Sequence, residues 1–315
     1  MVLRILFMGT PQFAAVSLEK LMTTDHEIIG VVTQPDKPRG RGMQMTPSEV
    51  KCVALRHQLP VWQPAKVAEA EFLKIFADLN PDLVVVVAFG QKIPAPILFN
   101  PKYGCINVHG SLLPQYRGAA PIQWSILNGD RETGVTTMYM DEGWDTGDII
   151  YQEKTAIDPN ENFGQLYLRL AEMGGDLLVK TVEDISCGKN PRIPQDHKKA
   201  TMAPKLTPDL QQMDWTLSAE TLHNRVRTFA PAPGVETFWN GERLKILETR
   251  LTAGQPSAAP GEIAAIMKNQ GILVGTGDRP LLITQVQPPG KKAMSAMDYA
   301  NGRRLQPGMF FGATV

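Results

Sequence analysis

The sequence predicts an α/β fold with a mostly parallel sheet, followed by a small closed β-barrel. Apolar, β-branched segments alternate with segments of helical period in the first part of the chain. The run Val84–Val87 is apolar on both faces, as in a central strand covered on both sides. Later in the chain, short strands follow one another with Gly and Pro turns, which is typical of a barrel.

The alternation of strands and helices indicates βαβ units with right-handed crossovers. The later strands of this part follow closely on each other, so we expect an antiparallel pair among them. Predicted strands lie at 4–8, 27–33, 83–89, 105–109, 133–140 and 148–152, and helices at 12–22, 46–57, 66–78, 118–128 and 162–187.

The amino-acid composition changes at residue 188, and Pro, Lys and polar residues are frequent from there to residue 211. This composition predicts an extended linker. We therefore expect a domain at 1–188, a linker at 189–207 and a second domain at 208–315. Within the second domain we expect a helix at 218–229 and strands at 234–239, 244–250, 261–267, 272–275 and 281–286.

The composition is that of an ordinary globular protein, with 43% hydrophobic and 20% charged residues. We find neither a secretory signal pattern nor an apolar run of membrane-spanning length, so no membrane contact is expected. The three cysteines are far apart and form no CxxC pair, which argues against disulfides or zinc and favours the cytoplasm. Cys105 is interpreted as a buried structural cysteine rather than a nucleophile.

The net charge is zero, but residues 198–315 carry 14 Lys and Arg against nine Asp and Glu. Three of those lysines lie in the predicted linker, so the excess is small. It hints at a second domain that faces a polyanion.

The stretch from Asn107 through His109 to Ser111 carries the strongest chemical signal. In an extended strand, alternate side chains share one face, so these polar groups lie together. An Asn amide can stabilise a developing oxyanion, and a His titrates near neutrality. Asp145 belongs to an acidic, Gly-bracketed stretch after another strand, and a carboxylate near His109 would orient it. The alternative is that these side chains form an ordinary strand end whose polar groups are hydrogen-bonded within the protein. A metal site is disfavoured, because a single His with Asn is a poor ligand set for zinc.

Two other segments follow strands. Gly9-Thr10-Pro11 lacks the GxGxxG spacing, and the chain has no GxxxxGK[ST], which argues against NAD and ATP. The basic stretch 35–42 is either a solvated loop or a mobile loop that contacts phosphates.

At these residues the chain resembles the methionyl-tRNA formyltransferase family, and the resemblance runs from end to end. The matching motifs are Ile5-Leu-Phe-Met-Gly9-Thr-Pro11-Gln-Phe13-Ala, Pro38-Arg39-Gly40-Arg41-Gly42, Asn107-Val-His109-Gly-Ser111-Leu-Leu-Pro114, Arg117-Gly-Ala-Ala-Pro121-Ile, Asp145-Thr-Gly147-Asp148-Ile and Asn301-Gly-Arg303-Arg304-Leu-Gln-Pro307-Gly308. The set of Asn, His and Asp alone is shared by folate-dependent formyltransferases with different acceptors.

The resemblance implies a Rossmann-like formyltransferase domain, a linker and an OB-like barrel that helps to hold initiator methionyl-tRNA. It implies 10-formyltetrahydrofolate as formyl donor, no metal, and a monomer. It further implies that Asn107, His109 and Asp145 are the catalytic residues. By the same resemblance, the expected folate contacts are Ser111, Leu112, Leu113, Pro114, Phe89, Gly90 and Ile93, and the expected tRNA contacts are Arg39, Arg41, Lys205, Arg303 and Arg304.

Three positions depart from the family pattern. Gln115 and Tyr116 stand where the family often has Arg and Trp, and Trp144 stands where a small aliphatic residue is common.

Two further hypotheses remain open at this point. Formyl transfer to a small amine, such as a sugar nucleotide or glycinamide ribonucleotide, would use the same catalytic set but would leave the barrel and Arg41 without a role. An RNA-binding module without chemistry would rest on the barrel alone.

Overall fold

The computed structural model describes residues 1–39, 42–253 and 258–312, which form two compact units. Unit 1 comprises Met1–Pro121, Thr133–Thr155 and Tyr167–Pro204. Unit 2 comprises Ile122–Glu132, Ala156–Leu166 and the chain from Lys205 onward. The domain boundaries at 188 and 207 stay a prediction.

Unit 1 is built on a seven-stranded sheet, with the strand order β5-β2-β1-β6-β7-β8-β9. The pairs β5–β2, β2–β1, β1–β6 and β6–β7 are parallel, whereas β8 runs antiparallel to β7. This confirms the expected mostly parallel sheet. The elements from residue 1 to residue 186 are β1 (Arg4–Gly9), α1 (Gln12–Leu21), β2 (Glu27–Val32), β3 (Lys37–Arg39), β4 (Gln44–Thr46), α2 (Glu49–Arg56), β5 (Val61–Trp62), α3 (Ala70–Leu79), β6 (Leu83–Val87), α4 (Ala95–Phe99), β7 (Cys105–His109), α5 (Pro121–Leu127), β8 (Glu132–Tyr139), β9 (Ile149–Ala156) and α6 (Phe163–Ser186).

Strand β7 presents different residues to the two faces of the sheet. Val108 faces α6, since a Cβ built on Gly174 would lie 2.9 Å from its Cγ1. Asn107 and His109 therefore face the opposite side, as the alternation predicts. Cys105 shares their face, and its thiol donates to the carbonyl of Ile97 in α4 at 3.2 Å. Burial raises the pKa of this thiol, so the interpretation as a buried structural cysteine is confirmed.

The basic stretch expected as a loop is an antiparallel hairpin of β3 and β4, in which Lys37 pairs with Thr46 and Pro38 with Met45. Pro38 is tolerated because a two-stranded ribbon leaves outward-facing positions that need no ladder hydrogen bond. Gly40 and Arg41 lie outside the described residues.

Unit 2 contains an antiparallel sheet in the order β10-β11-β14-β13-β12, with β15 paired to β14. Its outer strands are bridged by one C-terminal segment, because Gly312 pairs with Phe238 and Phe310 pairs with Glu262. The antiparallel second domain is thus confirmed. Its elements are α7 (Ala219–Phe229), β10 (Val235–Trp239), β11 (Glu242–Leu251), β12 (Ile263–Met267), β13 (Gly271–Val274), β14 (Leu281–Gln287), β15 (Met294–Ser295) and α8 (Ala296–Arg303).

The core of unit 2 packs α7 and α8 against the sheet, with Trp215 and Phe311 stacked at 6.2 Å between ring centroids. None of the helices in the described ranges is long and apolar enough to span a bilayer.

The packing of α6 under β7 gives a stability prediction. Gly174→Val should destabilise the protein by about 1–3 kcal/mol, because the new methyl groups meet Val108 in a filled core. Gly175→Val is the control, since a Cβ there approaches only the flexible stem of Lys20. Chemical denaturation of both variants checks this. Equal losses in both would contradict the assignment of α6 to the face behind Asn107.

Candidate active site

His109 lies at the end of β7, with its ring 6% exposed. Its Nε2 is 2.9 Å from the carbonyl oxygen of Tyr116. Because a carbonyl can only accept, Nε2 carries the proton in this arrangement. The other nitrogen, Nδ1, faces Asp145 Oδ2 at 3.9 Å. That separation is longer than a hydrogen bond, so Nδ1 and Asp145 are not hydrogen-bonded to each other.

Asp145 is carried by the loop between β8 and β9. The loop is closed at its base by the hydrogen bond from Tyr139 N to Asp148 O, at 2.9 Å. Inside it, the carboxylate of Asp141 accepts from Gly143 N at 3.0 Å and from the Thr146 hydroxyl at 2.6 Å. These bonds fix the backbone on both sides of Asp145.

The Asp145 carboxylate itself is held by a backbone amide. Gly118 N donates to Asp145 Oδ2 at 2.9 Å. Gly118 has φ of +123°, and a Cβ there would lie 2.7 Å from the carbonyl oxygen of Ala203. Only glycine fits this position without strain, so the glycine of the Arg117-Gly118 motif serves to deliver its N–H to Asp145.

Gln195 is a site residue that sequence reasoning missed, since it lies in the predicted linker. Its Nε2 donates to the carbonyls of Asp145 (2.9 Å) and Gly147 (2.7 Å). Its Oε1 accepts from Nε and Nη2 of Arg117, at 3.1 and 2.7 Å. The segment beyond it also pairs with this region, because Met202 bridges Arg117. No sequence motif signals Gln195, since its role depends wholly on tertiary structure.

The turn that follows β7 is tied down by side-chain hydrogen bonds. Ser111 Oγ donates to Gln115 O at 2.6 Å, and Thr136 Oγ1 donates to Ser111 O at 2.6 Å. Gln152 donates to Leu113 O at 2.8 Å. Leu113 is buried against Met138 and Ile149, whereas Leu112 and Pro114 are half-buried.

The loop after β6 has a buried side and an exposed side. Phe89 and Ile93 are buried in a hydrophobic cluster with α3 and α4. Ala88 and Gly90 are exposed and form the outer surface. The hydroxyl of Thr10 donates to Phe89 O at 3.1 Å, and this bond fixes the loop against the turn after β1.

The predicted tRNA-contacting residues are spread over the chain. Arg39 ends β3, and Arg41 lies outside the described residues. Lys205 and Arg304 are exposed. Arg303 donates to Glu242 at 2.5 Å, so its charge is already paired.

Chemically, the site offers the amide donor of Asn107, the imidazole of His109 and the carboxylate of Asp145. The half-buried carboxamide of Asn107 has no hydrogen-bond partner anywhere in residues 1–39, 42–253 and 258–312. This amide can donate to an oxygen that gains negative charge, and Nδ1 of His109 can also do so once the ring carries a second proton. Across those same ranges, no three His, Cys, Asp or Glu side chains form a cluster that could hold a metal ion.

Comparison with known proteins identifies the family. A family model described as formyl transferase matches residues 3–182, and one described as formyl transferase C-terminal domain matches residues 205–304. The methionyl-tRNA formyltransferase of Moorella thermoacetica is 46% identical over 310 residues, which cover 98% of this chain and 99% of the relative. That of Desulforamulus reducens is 44% identical, with 98% of each chain covered. The chain belongs to the methionyl-tRNA formyltransferase family.

Solved structures show the same fold at lower identity. The sugar 3N-formyltransferase WlaRD is 20% identical with a TM-score of 0.68, and the match covers 93% of this chain and 100% of that one. HypX from Aquifex aeolicus in complex with tetrahydrofolic acid is 18% identical with a TM-score of 0.65, covering 95% of this chain and 47% of HypX. The formyltransferase fold expected from the sequence is confirmed.

The network around Gln195 predicts a stability loss in this family member. Gln195→Ala should lower the free energy of unfolding by about 2–4 kcal/mol, because it removes bonds from the buried Arg117 guanidinium and from two carbonyls. Gln115→Ala, at an exposed side chain, should change it by less than about 0.5 kcal/mol. Urea denaturation measures both. A Gln195→Ala protein as stable as Gln115→Ala would contradict the network.

Proposed function

We propose that this protein transfers the formyl group of 10-formyltetrahydrofolate to the amino group of methionine esterified to initiator tRNA. The observation that carries the proposal is the meeting of Asn107, His109 and Asp145 at the end of β7, in a chain whose relatives at 44–46% identity are methionyl-tRNA formyltransferases. The product supplies N-formylmethionine for the initiation of translation.

The reaction joins the α-amine nitrogen to the formyl carbon and breaks the bond from that carbon to N10 of the folate. Attack by the neutral amine gives a tetrahedral species with negative charge on the former formyl oxygen. The Asn107 amide donates to this oxygen, and each such donor is typically worth about 3 kcal/mol. Nδ1 of His109 donates to it when the ring carries a proton on both nitrogens, with Nε2–H still on the Tyr116 carbonyl. Asp145 orients the His109 ring and accepts the proton that the amine loses, which passes to the departing N10.

The proposed folate site consists of the two loops that follow β6 and β7. Because Phe89 and Ile93 are buried, their loop would present the backbone around Gly90 to the ligand, while their side chains support it. The turn formed by Ser111, Leu112, Leu113 and Pro114 would contact the donor from the neighbouring strand. Its hydrogen bonds to Thr136 and Gln152 keep it rigid.

The proposed tRNA contacts are Arg39, Arg41, Lys205, Arg303 and Arg304, whose charges suit a phosphate backbone. We also propose a monomer that acts in the cytoplasm. The absence of disulfides among the three cysteines, all of which are described, is in keeping with that compartment.

His109→Ala should reduce formation of formylmethionyl-tRNA by at least 100-fold, because it removes an oxyanion donor at the reacting carbon. The affinities for the folate donor and for tRNA should change little, since His109 is buried and its Nε2 is bound to the Tyr116 carbonyl. Single-turnover formylation and equilibrium binding test this. Turnover near the wild-type rate would contradict the role of His109.

The basic residues at the end of α8 differ in their partners, which predicts different effects on tRNA binding. Arg304→Ala should weaken tRNA binding and reduce the slope of log Kd against log salt by about one, since one phosphate contact is lost. Arg303→Ala should have a smaller effect, because Glu242 already pairs with that guanidinium. Filter binding over a range of salt concentrations checks both. Equal affinity in the wild type and Arg304→Ala would remove Arg304 from the proposed contact surface.

The acceptor is tested by offering two amines in parallel. With 10-formyltetrahydrofolate as donor, methionyl initiator tRNA should be formylated and an amino-sugar nucleotide should not. The opposite preference would support the small-amine hypothesis. Binding of tRNA without any formylated product would support a binding module.

A further inference from the structure

Trp144 is the residue before Asp145, and its side chain is 62% exposed. The loop that carries it is held by the Asp141 carboxylate and closed at its base between Tyr139 and Asp148. Its indole stacks on no other aromatic ring or cation within the described ranges. A hydrogen-bonded loop thus presents a large apolar ring to solvent at the residue before the proposed catalytic carboxylate. Exposed apolar surface of this kind is commonly a binding surface.

The position of Trp144 restricts what it can bind. Its Cα lies about 3.8 Å from that of Asp145 across one peptide bond. Under the proposed function, the amine that reacts near Asp145 is separated from the terminal ribose of tRNA only by the methionyl Cα, its carbonyl carbon and an ester oxygen. The terminal nucleoside would therefore lie near the loop that carries Trp144.

The exposure of Trp144 distinguishes it from the large apolar side chains of the proposed folate site. Three of them, Phe89, Ile93 and Leu113, are buried in hydrophobic clusters, and Leu112 and Pro114 are half-buried. Trp144 faces the solvent, where a macromolecular substrate would lie. Unpaired bases stack on exposed aromatic side chains without any need for sequence-specific hydrogen bonds.

We propose that Trp144 is a stacking platform for the terminal adenine of the tRNA acceptor end. This inference rests on the proposed function, because it takes the acceptor amine to be one carried on tRNA. Stacking on Trp144 would fix the terminal nucleoside, and with it the amine, next to Asp145 and His109. Trp144 is thus a positioning residue that acts on the substrate.

The test compares the binding of two RNAs by the wild type and two variants, and it involves no formyl transfer. Deacylated initiator tRNA and the same tRNA lacking its terminal adenosine are titrated against the wild type, Trp144→Ala and Trp144→Phe. The wild type should bind the shortened tRNA roughly tenfold more weakly, in line with the loss of one stacked base. Trp144→Ala should bind both RNAs equally, and Trp144→Phe should recover part of the difference.

Leu168→Ala is the matched control, since Leu168 is also an exposed apolar residue, at 47%, but lies on α6 behind the catalytic strand. It should behave as the wild type with both RNAs. Thermal denaturation should show both variants to be folded, because neither side chain is buried.

Two results would overturn the inference. One is a Trp144→Ala protein that still loses as much affinity as the wild type when the adenosine is removed. The other is a variant with unchanged RNA binding and a raised KM for the folate donor, which would place the indole against the pteridine. A wild type that binds tRNA but forms no formylmethionyl-tRNA would contradict the proposed function alone, because the binding comparison does not depend on turnover.

Discussion

The position of the Asp145 carboxylate depends on a hydrogen-bond network that joins three distant stretches of chain. Gly118 N binds the carboxylate, Gln195 binds the backbone of the loop, and Arg117 binds Gln195. Arg117 and Gln195 are both buried, so each missing bond would leave a polar group unpaired away from water. The cost of leaving these groups unpaired favours a single position of the loop. That position places the Asp145 carboxylate 3.9 Å from Nδ1 of His109.

A second constraint is the alternation of side chains along β7. Val108 fills the core beneath α6, while Asn107 and His109 are left on the other face, which carries the proposed site. The same strand therefore anchors the fold and carries two of the proposed catalytic side chains. A shift of its register by one residue would exchange these roles, because every side chain would change face.

The sequence predicted elements whose apolar pattern is long or sharply periodic, such as β6, β7 and α6. It predicted the shared face of Asn107 and His109 from alternation alone, and the nearness of Asp145 from the chemistry that His109 needs. It did not predict β5, α4 or the β3–β4 hairpin, since two to five residues carry too little periodicity. It did not predict helix α8 either, although Ser295 marks where this helix begins: its hydroxyl caps the helix by accepting from Asp298 N at 3.0 Å. No sequence pattern identifies Gln195, since only folding brings it to Asp145.

The central claim is that Asp145 acts on the reaction and not on binding. Asp145→Asn keeps an oxygen that can accept from Gly118 N, but it removes the negative charge beside His109 and the group that accepts the amine proton. The most direct measurement is the single-turnover rate of formylmethionyl-tRNA formation by this variant, with the Kd of each substrate determined separately. The account predicts a rate at least 100-fold below that of the wild type, with both Kd values within about threefold. A rate close to that of the wild type, or a loss confined to substrate binding, would contradict it.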